Sequence, residues 1–182
     1  MPLAHERLVF RHTVEGLFKV AFKNDVTPEL KRALATVGID LENLPSTCTA
    51  EAYGAGFELL RKAVYPSLPE AEASELMGGR FLDGYFSTAM GGVVKTLLRF
   101  MPVEKVVERA PTALDSGANF IKSFVQRIAS RDYLLTTSDY STTPGFLTGV
   151  VRRTLELSGA RNTKVKVETQ RGRELVFHIT WE

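Results

Sequence analysis

Three histidines, one cysteine and scattered carboxylates are what this 182-residue chain offers to catalysis or to a metal. His5, His12 and His178 form no i, i+4 pair that would set two ligands on one helix face. His178 has Glu182 nearby in sequence, but strand alternation assigns it to the face opposite Trp181, where a solvated or half-buried strand residue is expected. His12 sits between Arg11 and Thr13 with no ligand partner. Cys48, in Ser46-Thr47-Cys48-Thr49, has no neighbouring base. An unactivated thiol is mostly protonated near neutral pH, so Cys48 reads as a buried structural residue. A lone cysteine leaves no internal disulfide and no multi-cysteine metal site. The chain also lacks a Gly-x-Ser-x-Gly elbow, a phosphate loop and a dinucleotide fingerprint. We therefore assign no catalytic residue, no metal and no cofactor, and expect no enzyme. The enzymatic alternative would need two of His178, Cys48 and Asp83 within hydrogen-bonding reach in one cleft.

Two non-catalytic chemistries remain. Between Arg152 and Arg173 lie seven cations (Arg152, Arg153, Arg161, Lys164, Lys166, Arg171 and Arg173) against Glu156 and Glu168. Such a patch could hold an anionic partner. No aromatic residue interleaves with these charges, so bases have no stacking platform and nucleic acid is not the expected partner. A solvated helix face beside a lysine-guarded edge strand accounts for the same pattern. The second chemistry is apolar. Phe57, Phe81, Tyr85, Phe86, Phe120 and Phe124 fall near glycines and are the candidates for lining a pocket for a small apolar ligand. Close packing of the same rings into a solid core is the alternative.

These residues must be positioned by a helical first part and a strand-rich last part. Thr27-Pro28 predicts a helix start and Gly38 its left-handed stop. A second helix follows Thr49, with Tyr53, Phe57, Leu60 and Val64 in one stripe, and ends at Pro66. Pro69 opens a third helix, with Glu70, Glu72 and Glu75 at the end where the dipole favours anions. Leu76, Met77, Phe81, Leu82, Tyr85 and Phe86 are its expected buried side. Gly78, Gly79 and Gly84 weaken that helix unless another backbone approaches closely. Gly91-Gly92 predicts a break before a fourth helix carrying Val93, Val94, Leu97, Leu98 and Met101, and a short fifth is expected over 103–109. Beyond Pro111, 119–128 and 132–138 read as strands. Thr143-Pro144 opens a helix with Phe146, Leu147, Val150, Val151 and Leu155 inward, and two alternating strands joined at Arg171-Gly172 close the chain. The opening stretch from Leu8 to Phe22 fits a strand before a helix or a loop.

The order is that of an α+β fold, with a helical N-terminal two-thirds (about 14–110) packed on a C-terminal antiparallel sheet (about 118–182) that has an inserted helix. Length suits one domain over 1–182. With 44% hydrophobic and 24% charged residues and a net charge of +2, neither a disordered tail nor a strongly charged binder is expected. No apolar run reaches the ~20 residues that cross a bilayer, so we expect no membrane span and a cytoplasmic location.

Val14-Glu15-Gly16-Leu17-Phe18, Thr27-Pro28-Glu29-Leu30, Arg80-Phe81-Leu82-Asp83-Gly84-Tyr85, Ser116-Gly117-Ala118-Asn119-Phe120, Gly159-Ala160-Arg161-Asn162 and His178-Ile179-Thr180-Trp181 share a further property. In that order they resemble a paralogous myxobacterial family of domains of unknown function, about 180 residues long. The resemblance covers nearly the whole chain and carries no activity with it. More distantly, the layout is similar to the superfamily of haem–nitric oxide/oxygen sensors, four-vinyl reductase domains and vesicle-tethering transport-particle subunits. Tyr140-Ser141-Thr142-Thr143-Pro144 falls where the haem sensors carry Tyr-x-Ser-x-Arg, with Pro144 in place of the propionate-binding arginine. No histidine lies between His12 and His178 to act as the axial ligand. The resemblance therefore implies the fold without haem. Cys48 does not sit in a version of the acyl-carrying site of the transport-particle branch. The resulting expectation is a sensor-like, non-catalytic binding or signalling module for a small apolar ligand or a protein partner. The basic C-terminal patch supplies an alternative adaptor surface, and a homodimer through helices is compatible with the pattern.

Overall fold

Threonines set where the helices begin. In the computed structural model, which describes residues 6–182, the side chains of Thr27, Thr49, Thr88 and Thr143 accept hydrogen bonds from the backbone N–H of Leu30, Ala52, Gly91 and Phe146. Each satisfies one of the donors that a helix leaves open at its N-terminus. The helices so started are α2 (Pro28–Thr36), α3 (Ala50–Val64), α5 (Ala89–Phe100) and α7 (Pro144–Leu157). Proline at the first turn fixes φ for α2 and α7. Ahead of them, β1 (Leu8–Phe10) leads into α1 (Arg11–Glu15) and a π-helical turn over Gly16–Ala21. β1 pairs antiparallel with β2 (Thr47–Thr49), Val9 opposite Cys48. His5 lies outside the described residues.

Helix α4 spans Glu70–Phe86 and α6 spans Val103–Asp115. Four strands follow: β3 (Ser123–Ala129), β4 (Asp132–Thr137), β5 (Lys164–Arg171) and β6 (Glu174–Thr180), antiparallel in the order β3-β4-β6-β5. The inner face carries Tyr133 and Leu135 of β4, Leu175, Phe177 and Ile179 of β6, and Val165 of β5, all buried. Helices α6 and α7 lie against this sheet and α4 packs across α7, while the π-helical turn flanks α4 on another side. The α+β expectation is met, with helices ahead of an antiparallel sheet and α7 inserted between its hairpins.

Several local expectations need correction. The break before α5 falls at Ser87-Thr88, not at Gly91-Gly92, because Thr88 provides the cap. Helix α6 runs through Pro111 to Asp115. Pro111 removes a backbone donor, at a cost of about 3 kcal/mol in a free helix, but the following turn is held from outside. Thr13 Oγ1 and the Phe10 N–H both donate to the Gly117 carbonyl, and Leu114 packs on the core. Strand β3 begins at Ser123 rather than Asn119, since Asn119 is drawn to the other sheet: its side chain accepts from Leu8 N–H and donates to the Glu6 carbonyl. Leu76 and Tyr85, expected on the buried side of α4, are exposed, as are Val93 and Leu97 of α5. Val167, opposite Phe177 on edge strand β5, is exposed, and a bulge between Val167 and Thr169 breaks the alternation beyond it.

Candidate functional site

Helices α4 and α7 approach until backbones touch. A Cβ on Gly78 would lie 2.1 Å from the Phe146 carbonyl oxygen, and one on Gly149 would lie 2.0 Å from the Glu75 carbonyl oxygen. Only glycine permits that separation, so the α4 glycines that weaken the isolated helix are used here for contact. Neighbouring Gly79 differs: no atom lies within 4 Å of where its Cβ would be. It opens on a groove of about 720 Å³ alongside the crossing. Ala71, Leu76, Gly79 and Gly149 line it with apolar surface, and Tyr65 adds an aromatic ring to the lining. Charged side chains complete the lining: Glu72, Glu75, Arg80, Asp83, Arg152, Arg153 and Glu156.

Those charges are mostly paired across the groove. Arg153 bonds Asp83 on α4 at 2.9 Å and Glu156 on its own helix at 3.1 Å. The bond to Asp83 chiefly raises its pKa; burial opposes the rise and Glu156 adds to it. Arg152 pairs with Glu75, while its buried Nε has no partner among the described residues. Arg80 pairs with Asp25 and lies over the Phe22 ring, 4.2 Å from its centroid. Burial works against the Arg80 charge, but hydrogen bonds to Asp25 and Tyr65 outweigh it and leave the pKa raised. The groove therefore offers fixed guanidinium and carboxylate charges beside an apolar strip. None of its side chains is a nucleophile with an adjacent base.

The aromatic candidates do not line this groove and do not gather into one pocket. Phe57 and Phe81 both pack on Phe146, with ring centroids at 5.2 and 5.5 Å. Tyr85 leans on Phe86 at the end of α4. Phe120 lies beneath the Arg7 guanidinium, 4.4 Å from its ring centroid, and Phe124 is exposed on the outer face of β3. Of the seven cations, only Arg152 and Arg153 enter the groove. Lys164 and Lys166 stand exposed on edge strand β5, Arg171 and Arg173 at its hairpin, and Arg161 in the loop after α7, where it exchanges backbone bonds with Glu182.

The enzymatic trio is likewise dispersed. Asp83 is in the groove, Cys48 is buried on β2, and His178 sits on the outer sheet face bonded to Asp132 at 2.8 Å. Burial pushes the Cys48 thiol up to about 11, the opposite of activation. His12 is exposed and stacks on Phe10. Among the described residues no group of three or more His, Cys, Asp and Glu could hold a metal ion. Nor is any helix among them long and apolar enough to cross a membrane. The groove was not legible beforehand, although Gly79 beside Gly78 was the signal available: two adjacent helical glycines cannot both face one partner.

A family model described as Protein of unknown function (DUF2378) matches residues 7–182. No curated protein matches. Among solved structures the chain is similar to H-NOX proteins. A Cs H-NOX mutant superposes with TM-score 0.66 at 12% identity, covering 95% of this chain and 96% of that one. A T. tengcongensis H-NOX mutant gives 0.64 at 11% identity, covering 94% and 96%. The unliganded Fe(II) H-NOX protein from K. algicida gives 0.62 at 12%, covering 93% and 94%. Identities this low establish a shared fold.

Haem is named for that fold, and the residues here do not fit it. Both described histidines are solvent-accessible and on separate elements, one stacked on a ring and one paired with a carboxylate. Pro144, at the first turn of α7, offers no cation for a propionate.

Proposed function

Because the chain belongs to the DUF2378 family, whose members are described as proteins of unknown function, we propose its function from its own geometry: a non-catalytic binding module whose site is the α4–α7 groove. The ligand that fits is a small molecule with an apolar body and charged ends. Its body would lie on Ala71, Leu76, Gly79 and Gly149, and its ends would exchange with the ion pairs of Arg152 and Arg153. The observation that carries this reading is the unfilled space over Gly79 beside two glycines that are fully used. Concave sites with an apolar floor and a few fixed polar groups are where small ligands bind. The interior rings of Phe57 and Phe81 pack on Phe146 and do not line the groove.

Gly79→Trp tests it, since an indole there fills the groove without meeting another atom at its root. A fragment library screened by amide NMR should give shifts at Leu76, Gly79, Gly149 and Arg152 in the parent protein and none in the variant. Shifts that map elsewhere, or survive the tryptophan, remove the groove as the site.

A further inference from the structure

Helix α5 carries an apolar stripe that nothing in the molecule covers. Met90, Val93, Leu97 and Phe100 recur at three- and four-residue spacing and are 70%, 59%, 57% and 84% exposed. The adjoining flank, Gly91 with half-buried Val94, Leu98 and Met101, holds the helix to the protein. Gly91 makes the attachment tight, because a Cβ there would lie 1.9 Å from the Tyr85 carbonyl oxygen. The stripe is therefore a convex ridge on a firmly seated helix.

Its charge is one-sided. Lys95 and Arg99 lie on this helix, and from Ser87 to Val103 there is no acidic residue. Neither cation appears in an ion pair among the described residues, whereas Arg80, Arg152 and Arg153 nearby in the fold are all paired. Free cations on the polar side of a helix whose other side is a bulky apolar stripe call for an anionic counterpart with an apolar interior. A second copy of the same helix would supply no carboxylate for either cation. A peptide partner would need a concave surface to receive the ridge, whereas a fluid lipid interface moulds to it. A short helix with Phe and Leu on one side and cations off that side is the pattern of an in-plane membrane anchor.

We propose that α5 docks the protein on anionic lipid surfaces, with Met90, Val93, Leu97 and Phe100 entering the acyl boundary and Lys95 and Arg99 meeting headgroups. Co-sedimentation with vesicles of mixed phosphatidylcholine and phosphatidylglycerol tests it. The full chain should bind these vesicles, lose binding as salt rises, and not bind phosphatidylcholine alone. Leu97→Ser with Phe100→Ser should lower the partition coefficient roughly tenfold or more, since two large apolar side chains leave the lipid. Phe124→Ser, at a ring 59% exposed on the sheet, should leave it unchanged. Because all three positions are exposed, circular dichroism should show the variants folded. Emission from a Phe100→Trp variant should shift to the blue on adding anionic vesicles only. Absence of vesicle binding, or binding indifferent to the α5 substitutions, overturns the assignment. So does a concentration-dependent dimer in lipid-free solution that the same substitutions abolish, which would give the ridge to a second copy.

Discussion

Two adjacent glycines on α4 should respond to the same substitution with opposite signs. Gly79→Ala adds a methyl group into open groove and replaces the poorest non-proline helix former with the best, which stabilises by about 1 kcal/mol. Gly78→Ala gains the same propensity, but its methyl would sit 2.1 Å from the Phe146 carbonyl oxygen and 2.8 Å from the Val150 nitrogen. Both are backbone atoms of α7 and cannot rotate away, so the helices must separate by more than an ångström. Overpacking typically costs about 1–3 kcal/mol, and more when the obstacle is backbone. The expected net loss is about 2 kcal/mol. In a chain of this length 1 kcal/mol moves Tm by about 2–4 °C, so Gly79→Ala should melt about 3 °C higher than the parent and Gly78→Ala about 6 °C lower. Calorimetry, with urea unfolding to check that the slope m is unchanged, reads both. If both variants are stabilised alike, α4 and α7 do not meet at their backbones. If Gly79→Ala is destabilised, the groove is not open space, and the binding site argued above disappears with it.

Two further outcomes follow from buried groups. The folded-state pKa of Cys48 is raised from 9.0 to about 11 by burial, so its contribution to stability is present below pH 9 and lost as pH rises from 9 to 11; Tyr53, pushed up chiefly by burial, loses stability in the same direction. Alkylation of Cys48 at pH 8 should be slow and accelerate in urea, and rapid labelling of the native protein would contradict its burial. Arg7 binds Asp139 through two nitrogens, at 2.9 and 2.8 Å, and also reaches Glu51 and the Tyr140 carbonyl. Arg7→Ala should cost about 1–3 kcal/mol, because a half-buried carboxylate loses its partner, and Asp139→Ala in addition should cost little more in a double-mutant cycle read by urea unfolding.

What the sequence made legible was local. Capping threonines followed by proline, and two alternating terminal strands, predicted α2, α7 and the β5–β6 hairpin because their signals act within a few residues. The failures were tertiary. Pro111 reads as a helix end, yet remote contacts from Thr13 and Phe10 hold the turn beyond it. Leu76, Tyr85, Val93 and Leu97 have the spacing of a core face, and periodicity does not say whether a partner exists for that face. The groove was hidden for the same reason: it depends on which of two neighbouring glycines meets α7, and a helical repeat places both near the contact without choosing.

That choice also decides where open space lies around the α4–α7 pair. A helix pair held apart by side chains leaves volume that a cofactor can occupy. A pair brought to backbone contact by Gly78, Gly145 and Gly149 leaves none, because the side chains that would line a cavity are displaced to the flanks of the crossing. Glu75, Asp83, Arg152 and Arg153 are on those flanks and turn what would be an interior wall into a charged, open groove. Both proposed sites therefore lie at the surface: an ion-paired groove beside Gly79 and the uncovered ridge of α5.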